Sequence, residues 1–233
     1  MSTAIDLAEV PLRQLNQVLH DAESGGFDVL NPRGAHAVAC GITTNVTVEV
    51  AGSVGYYCAG MHQVGTVVVN GNSGPGLAEN IMSGTVRTTG NASMSAAATG
   101  CGGLVVIEGD AGARCGISMK GVDIVVGGSI GHMGAFMAQA GNLVVLGDAG
   151  ADLGDSIYEA VLYVRGEVES LGSDCVEKEM RPEHLAAVRH LLQAADMTAS
   201  PADFRRYGSE RQMYSFHVDD IDAELAEGAG AAK

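Results

Sequence analysis

Val48-Glu-Val-Ala-Gly52 is followed by Val67-Val-Val-Asn-Gly71 and then by Val86-Arg-Thr-Thr-Gly90, so that one pattern returns every 19 residues. The closing glycine recurs at seven positions, which are Gly52, Gly71, Gly90, Gly109, Gly128, Gly147 and Gly166. A constant period of this length indicates stacked supersecondary units. The repeat therefore decides the fold class.

The columns of the repeat identify the unit that is stacked. The residues two and four before each glycine are almost all aliphatic, and most are β-branched, as in Val105 and Ile107. The residue between them tolerates charge, as Glu49 and Arg87 show. Apolar positions two apart predict one short strand per repeat, with two side chains inward and one outward. We therefore expect Val105→Asp to prevent folding and Arg87→Ala to be tolerated.

A strand that returns every 19 residues, with no long helical stripe between its copies, predicts a chain wound as a coil of parallel strands. This architecture is a β-solenoid of about seven coils, with β-strands as its main secondary structure. We assign residues 27–175 to the coil, 1–26 to an N-terminal helical cap, and 176–233 to a C-terminal helix and polar docking tail. Gly121 arrives one residue early, which predicts an irregularity in that coil.

Both flanking segments contain apolar residues at helical spacing. Leu12, Leu15 and Leu19 predict a short helix over the open first coil, and Leu185, Val188 and Leu192 predict a helix that closes the other end. The polar tail beyond carries four aromatic residues, which indicate either docking on another surface or a flexible tail: Phe204, Tyr207, Tyr214 and Phe216. The stretch from 219 to 227 is acidic, and we expect it to be disordered.

Composition excludes several classes of function. The net charge of −15 argues against nucleic acid as a partner. The chain has no stretch of 18 apolar residues and no export signal, so we expect neither membrane insertion nor secretion. Five cysteines without close pairing indicate reduced thiols and a cytoplasmic protein.

We predict no catalytic, cofactor-binding or metal-binding residues in this chain. No Cys-x-x-Cys spacing is present for zinc or an iron–sulfur cluster. The acidic residues Asp148, Asp152 and Asp155 fit turn chemistry better than a cation site. His62 and His132 lie at predicted corners, and we interpret them as interface residues rather than as proton-transfer groups.

The outward column is unusually apolar, which predicts a partner interface unless the helical ends fold back over it. Its members are Val68, Val106, Val125, Val144 and Tyr163. Bulky residues beside the glycine corners are expected to extend this interface, namely Tyr56, Tyr57, His62, His132, Met133 and Phe136.

The segments Gly103-Leu-Val-Val-Ile-Glu-Gly109 and Gly141-Asn-Leu-Val-Val-Leu-Gly147 resemble the β-helix (GXGXG) domain that ends the large subunit of glutamate synthase. The resemblance covers residues 30–173. The runs 132–137 and 153–159 resemble stand-alone versions, such as the B subunit of N-methylglutamate synthase. The family implies a right-handed parallel β-helix, and we expect short helices at both ends of it.

The resemblance also implies a function for the chain. In such a complex the β-helix is a non-catalytic subunit that braces a glutaminase (class II amidotransferase)-like subunit and an FMN/iron–sulfur synthase-like subunit. The complex makes N-methylglutamate and ammonia from methylamine and glutamate, and the cofactors belong to the partner. The alternatives are an equivalent subunit of a glutamate synthase-like or formylmethanofuran dehydrogenase-like complex, or a free-standing solenoid that binds or cleaves polysaccharide. The absence of Trp disfavours this last class.

Overall fold

The repeat strands of this chain stack in parallel, as the 19-residue period predicts. A computed structural model describes residues 2–211. It contains eleven strands in one sheet, which are β1 Ser2–Asp6, β2 Ser24–Leu30, β3 Asn45–Val50, β4 Thr66–Val69, β5 Thr85–Thr88, β6 Leu104–Ile107, β7 Lys120–Val126, β8 Ala140–Val145, β9 Val161–Val164, β10 Cys175–Lys178 and β11 Arg205–Ser209. The helices are α1 Leu12–Asp21 and α2 Pro182–Ala194, and a 3₁₀ turn spans Pro201–Asp203. The fold is a parallel β-solenoid, and β3 to β9 form its seven regular coils.

Successive strands pair in the register that the 19-residue period dictates. Val86 lies opposite Val105, and Val105 lies opposite Ile124, all three of them fully buried. β-branched side chains suit this stacked, pleated wall because their restricted rotamers pack well against neighbours one coil away. The register shifts between Lys120 and Asp123, where Gly121 adopts a φ of +138°. The irregularity predicted there is thus confirmed.

The second wall of each coil begins after the repeat glycine that follows the strand. Its side chains accept hydrogen bonds from backbone N–H groups of the next coil. The residue after each repeat glycine accepts from the N–H of its counterpart one coil later, as Asn72 Oδ1 does from Asn91 N at 2.8 Å. Six such bonds form a ladder along the solenoid from Ser53 to Glu167. Asp110 and Asp148 belong to this ladder, in agreement with the turn interpretation of Asp148.

The coil interior is apolar except at a few hydrogen-bonded positions. Thr88 is buried in the inner strand column, where it donates to Gly71 O at 2.7 Å and accepts from Ser73 Oγ at 3.0 Å. The cysteines Cys58 and Cys115 lie fully buried in the core. A buried hydroxyl with both roles used carries little desolvation penalty, so the coil tolerates Thr88.

The first coils are covered by an additional strand and by helix α1. β1 pairs in parallel with β2 and extends the sheet by one strand that the sequence did not predict. Leu15 and Leu19 of α1 are buried against the coil core. The Asn16 side chain donates to Ala37 O and accepts from Ala39 N, which satisfies two backbone groups of the first turn.

The C-terminal end of the solenoid differs from the prediction because part of the tail joins the sheet. β11 inserts between β9 and β10 and pairs antiparallel with both, so the tail residue Tyr207 is buried in the core rather than available for docking. Phe204 is buried as well. Tyr214, Phe216 and the acidic stretch 219–227 lie outside the described residues.

Helix α2 does not close the end of the coil but lies along its outward face. Its buried residues Val188, Leu191 and Leu192 pack against outward side chains of β6 to β9. Arg87 fixes its C-terminus, donating through Nη2 to Ala195 O at 2.6 Å and pairing through Nη1 with Glu108 at 2.7 Å. These two bonds give no support to the predicted tolerance of Arg87→Ala, because the change would remove both. Within residues 2–211, neither helix has the length and apolar character of a membrane span.

Candidate partner interface

The outward apolar column is largely an internal surface of this chain. Val106, Val125 and Val144 are fully buried, and Tyr163 is 1% exposed, beneath α2 and Phe204. The side chains do point outward from the coil, as predicted, but their assignment to a free partner interface is wrong. The physical reason is that α2 carries its own apolar stripe, and the two apolar surfaces cover each other. Val68, which lies one coil before Arg87 in the same column, is half-buried.

His62 is also not a surface residue. It is fully buried, and its Nε2 donates to Gly65 O at 3.1 Å. It occupies the column of Ile81 and Met119, which are its counterparts one and three coils later. Nδ1 is buried without a hydrogen-bond partner among the described residues. The imidazole therefore replaces an apolar core residue and lies too deep to contact a partner.

The burial of His62 predicts pH-dependent stability. Desolvation lowers the pKa of His62 below its ordinary value, and the hydrogen bond to Gly65 opposes this shift. The folded protein keeps the ring neutral where the unfolded chain binds a proton. The stabilisation is therefore full above about pH 6.5 and declines as the pH falls, by at most about 1.4 kcal/mol per pH unit for one proton.

Chemical denaturation at pH 7 and pH 5 measures how far the free energy of unfolding falls between the two pH values. We expect His62→Met, which copies the counterpart Met119, to lose less stability between the two pH values than the unchanged protein. The exposed His132→Ala is the control and should retain the full loss. An identical loss in His62→Met would show that His62 does not carry the effect.

The exposed apolar side chains lie on the turn wall, which we define as the residues between the second wall and the next strand of each coil. Nine large apolar side chains of residues 2–211 are exposed, and seven of them are on this wall: Tyr56, Tyr57, Met61, Met82, Met94, Met137 and Tyr158. Since α2 covers the outward strand face, the turn wall is the better candidate for a partner interface.

A first aromatic patch lies on the turn wall of the first regular coil. Tyr56 stacks on His36 with ring centroids 4.6 Å apart and planes inclined by 7°, and its N–H donates to His36 Nδ1 at 2.9 Å. Tyr57 meets Tyr56 edge-on at 6.4 Å. A Cβ at Gly55 would lie 2.1 Å from His36 Nδ1, and one at Gly76 would lie 2.6 Å from Tyr57 Cδ1. The two glycines therefore give the rings their space.

The second patch lies four coils later and repeats the layout of the first. His132, Met133 and Met137 follow Tyr56, Tyr57 and Met61 by 76 residues, which is four repeats of 19. His132 and Met137 are exposed, whereas Met133 and Phe136 are half-buried. At about 4.8 Å per coil, the two patches are about 19 Å apart.

Two turn positions in each of six successive coils have a left-handed backbone. Tyr57 and Met61 have φ values of 59° and 56°, and Met133 and Met137 have 57° and 53°. The left-handed region disfavours large side chains, at a cost of order 1 kcal/mol for each residue. The second coil meets this constraint with Gly76 and Asn80, the residue types that tolerate it best. Arg114, a large residue outside both patches, shares this conformation with a φ of 58°, so the turn itself imposes it.

The buried thiols of the described residues are poor nucleophiles. Burial raises the pKa of Cys58 and of Cys115 to about 12, and that of Cys175 to about 11, which removes their nucleophilic character. No group of three or more His, Cys, Asp or Glu side chains within residues 2–211 is placed to hold a metal ion. The turn wall provides an exposed apolar surface.

A comparison with known proteins gives the family. Protein GlxC from Rhizobium meliloti (strain 1021) is 61% identical over 224 residues, which cover 94% of this chain and 98% of that protein. The chain belongs to the GlxC family. No family model and no solved structure matches it. The name GlxC states no activity, so the role of a GlxC chain has to be argued from its surface.

His36 belongs to the candidate interface but was not predicted from the sequence. It precedes Tyr56 by 20 residues, one coil plus one residue, in the irregular segment before the repeat begins. The signal is the 19-residue interval from His36 to Gly55, because a side chain one coil away lies about 4.8 Å from its counterpart and the glycine leaves room for the His36 ring. Tyr56, Tyr57, His132, Met133 and Phe136 are the predicted residues that the turn wall brings to its surface.

Proposed function

We propose that this chain is a non-catalytic scaffold subunit of a glutamate synthase-type complex, specifically of an N-methylglutamate synthase in the cytoplasm. In this proposal it braces a glutaminase-like subunit and an FMN/iron–sulfur synthase-like subunit. The partners carry the chemistry that makes N-methylglutamate and ammonia from methylamine and glutamate.

The observation that carries the proposal is the duplicated patch on the turn wall. A scaffold that holds two different subunits needs two contact surfaces at a fixed separation. The first patch (His36, Tyr56, Tyr57, Met61) and the second patch (His132, Met133, Phe136, Met137) meet this requirement, on coils joined by continuous hydrogen-bond ladders. Tyrosine, phenylalanine and methionine side chains are enriched where proteins contact each other.

The buried thiols support a role without resident cofactors. An iron–sulfur cluster needs accessible thiolates from several converging cysteines, whereas Cys58, Cys115 and Cys175 are buried in the core with raised pKa values. The donor set of the described residues therefore does not fit a cluster, and the proposal assigns FMN and the cluster to the partner.

Patch substitutions that copy residues from neighbouring coils test the proposal. In the first patch we change Tyr56→Ala and Tyr57→Ser together, which copies Ala113 and Ser95 of the same columns. In the second patch we change His132→Ala and Met133→Ser. Each variant is coexpressed with the two candidate partners and purified by a tag on this chain. We expect each double variant to lose a different partner by at least about tenfold, the loss of roughly 1.4 kcal/mol or more of contact energy.

Arg114→Ser is the matched control, because it changes the same column on a coil between the two patches. It should retain both partners. Recovery of the complete complex with both double variants would overturn the proposal. The product assay separates the alternatives, since N-methylglutamate formed from methylamine identifies the specific complex, and glutamate formed instead identifies a glutamate synthase-like one.

A further inference from the structure

A pocket lined by basic residues lies at the end of the sheet where β11 joins β10. It has a volume of about 270 Å³, and its lining includes Lys178, Arg206 and Arg211 together with Tyr158, Glu159 and Gly208. The chain carries only 13 lysines and arginines against 28 acidic residues. Three of those 13 basic residues line one pocket, so they form a local exception to the acidic character of the chain.

Two of these positive charges are held directly opposite each other. Lys178 of β10 is the register partner of Arg206 of β11, so both side chains leave the same face of the sheet. Both are half-buried. Like charges at directly opposed positions of an antiparallel pair are destabilising. The arrangement therefore lowers the stability of the sheet unless something negative lies between them.

No carboxylate of the described residues fills that place. Neither Lys178 nor Arg206 forms an ion pair within residues 2–211, whereas Arg211 pairs with Asp174 at 2.8 Å. Arg206 donates from Nε to the backbone oxygen of Glu179 at 2.8 Å, which orients its guanidinium group. Glu159 also lines the pocket, but it is exposed and forms no ion pair with either charge. The two opposed charges thus face the pocket without a counter-ion in the described part of the chain.

Gly208 leaves one side of the pocket open. A Cβ at this position would meet only Ala160 O and Lys178 Cδ, both at 3.8 Å, which is ordinary contact distance. The glycine is therefore not required by backbone conformation or by a close approach. A branched side chain here would occupy pocket space while the charges stayed in place.

We propose that this pocket binds a small oxyanion, a carboxylate or a phosphate, between the Lys178 ammonium and the Arg206 guanidinium groups. A planar guanidinium donates two parallel hydrogen bonds to such a group, and the ammonium adds a point charge. The bound anion converts the repulsion of the opposed pair into attraction. The proposal does not depend on the scaffold function and holds for the chain on its own.

Isothermal titration and thermal unfolding of the full chain test the proposal, with inorganic phosphate in one series and glutarate in the other. Sodium chloride at matched ionic strength corrects for general screening. We expect saturable binding of at least one anion and a melting temperature that rises with its concentration. The tighter of the two shows whether the natural ligand presents a phosphate or a carboxylate.

Three variants locate the binding. Gly208→Val should weaken the affinity at least about tenfold by filling the pocket, and Lys178→Gln with Arg206→Gln should abolish it. The latter pair should also melt at or above the unliganded wild type, since the repulsion is gone. Lys120→Gln with Arg114→Gln removes the same charge from exposed positions elsewhere and should bind normally. Absence of binding by the wild type, or binding that survives loss of both Lys178 and Arg206 charges, would overturn the proposal.

Discussion

Val105→Asp is expected to yield no soluble folded protein. Val105 is fully buried in β6, between Val86 and Ile124 of the neighbouring coils. A carboxylate there would have no partner, and burying it would cost several kcal/mol, a large share of the roughly 5–15 kcal/mol that stabilises a domain of ordinary size. Because each coil supports the next, the damage would spread along the stack. The measurement is the soluble yield, followed by circular dichroism of any soluble fraction.

Two matched variants separate the position from the substitution. Val105→Ile copies the counterpart Ile124 and should fold normally. Val68→Asp places the same carboxylate in the outward column, at a half-buried position, and should have a small effect. Soluble Val105→Asp with a wild-type melting curve would show that the inner face has been misassigned.

Val125→Glu with Val144→Glu is expected to detach helix α2 while leaving the coil stacked. Both side chains are fully buried beneath α2, in a cluster with Val188, Leu191 and Leu192. Charging them should cost about 4–5 kcal/mol or more in total, enough to release a helix attached mainly by this contact. The inner columns keep their packing, so β-sheet content should persist. Limited proteolysis is the measurement, and new cleavage is expected between residues 179 and 200.

The control for this pair is Val68→Glu, in the same column but outside the α2 cluster. It should leave α2 protected. The outcome also distinguishes the two interpretations of the column, because a free partner interface would tolerate both glutamates in the isolated chain. Unchanged proteolysis and unchanged melting of the double variant would contradict the packing described above.

The repeat predicted the fold because its information is local and periodic. Residues such as Val48, Val67 and Val86 report their common environment through their spacing, and the stacking register follows from the same period. The same argument identified which side chains face inward. The same argument could also have predicted that His62 is buried, because its counterparts Ile81 and Met119 are core residues.

The sequence could not predict what covers the outward face. The contact between Arg87 and Ala195 joins residues 108 positions apart, and no periodicity connects a helix after the repeat with strands inside it. An apolar column is compatible with either a partner or an internal helix, so its composition does not decide between them. β11 was missed for a related reason, since the strand Arg205–Ser209 is polar in sequence and is defined by antiparallel pairing with β9 and β10.

Because the ladder of side-chain acceptors links equivalent residues of successive coils, the length of this molecule varies in units of one coil. Asn72 accepts from Asn91 and Asn91 from Asp110, each link 19 residues long. A residue inserted between Asn72 and Asn91 would put this link out of register unless the coil absorbed it locally, as the last coil does where Asp152 N donates to Ser170 Oγ across 18 residues. Removal of one whole repeat would rejoin equivalent partners and shorten the stack by about 4.8 Å. In a complex built on the two turn-wall patches, the number of coils between the patches would set the distance between the two bound partners.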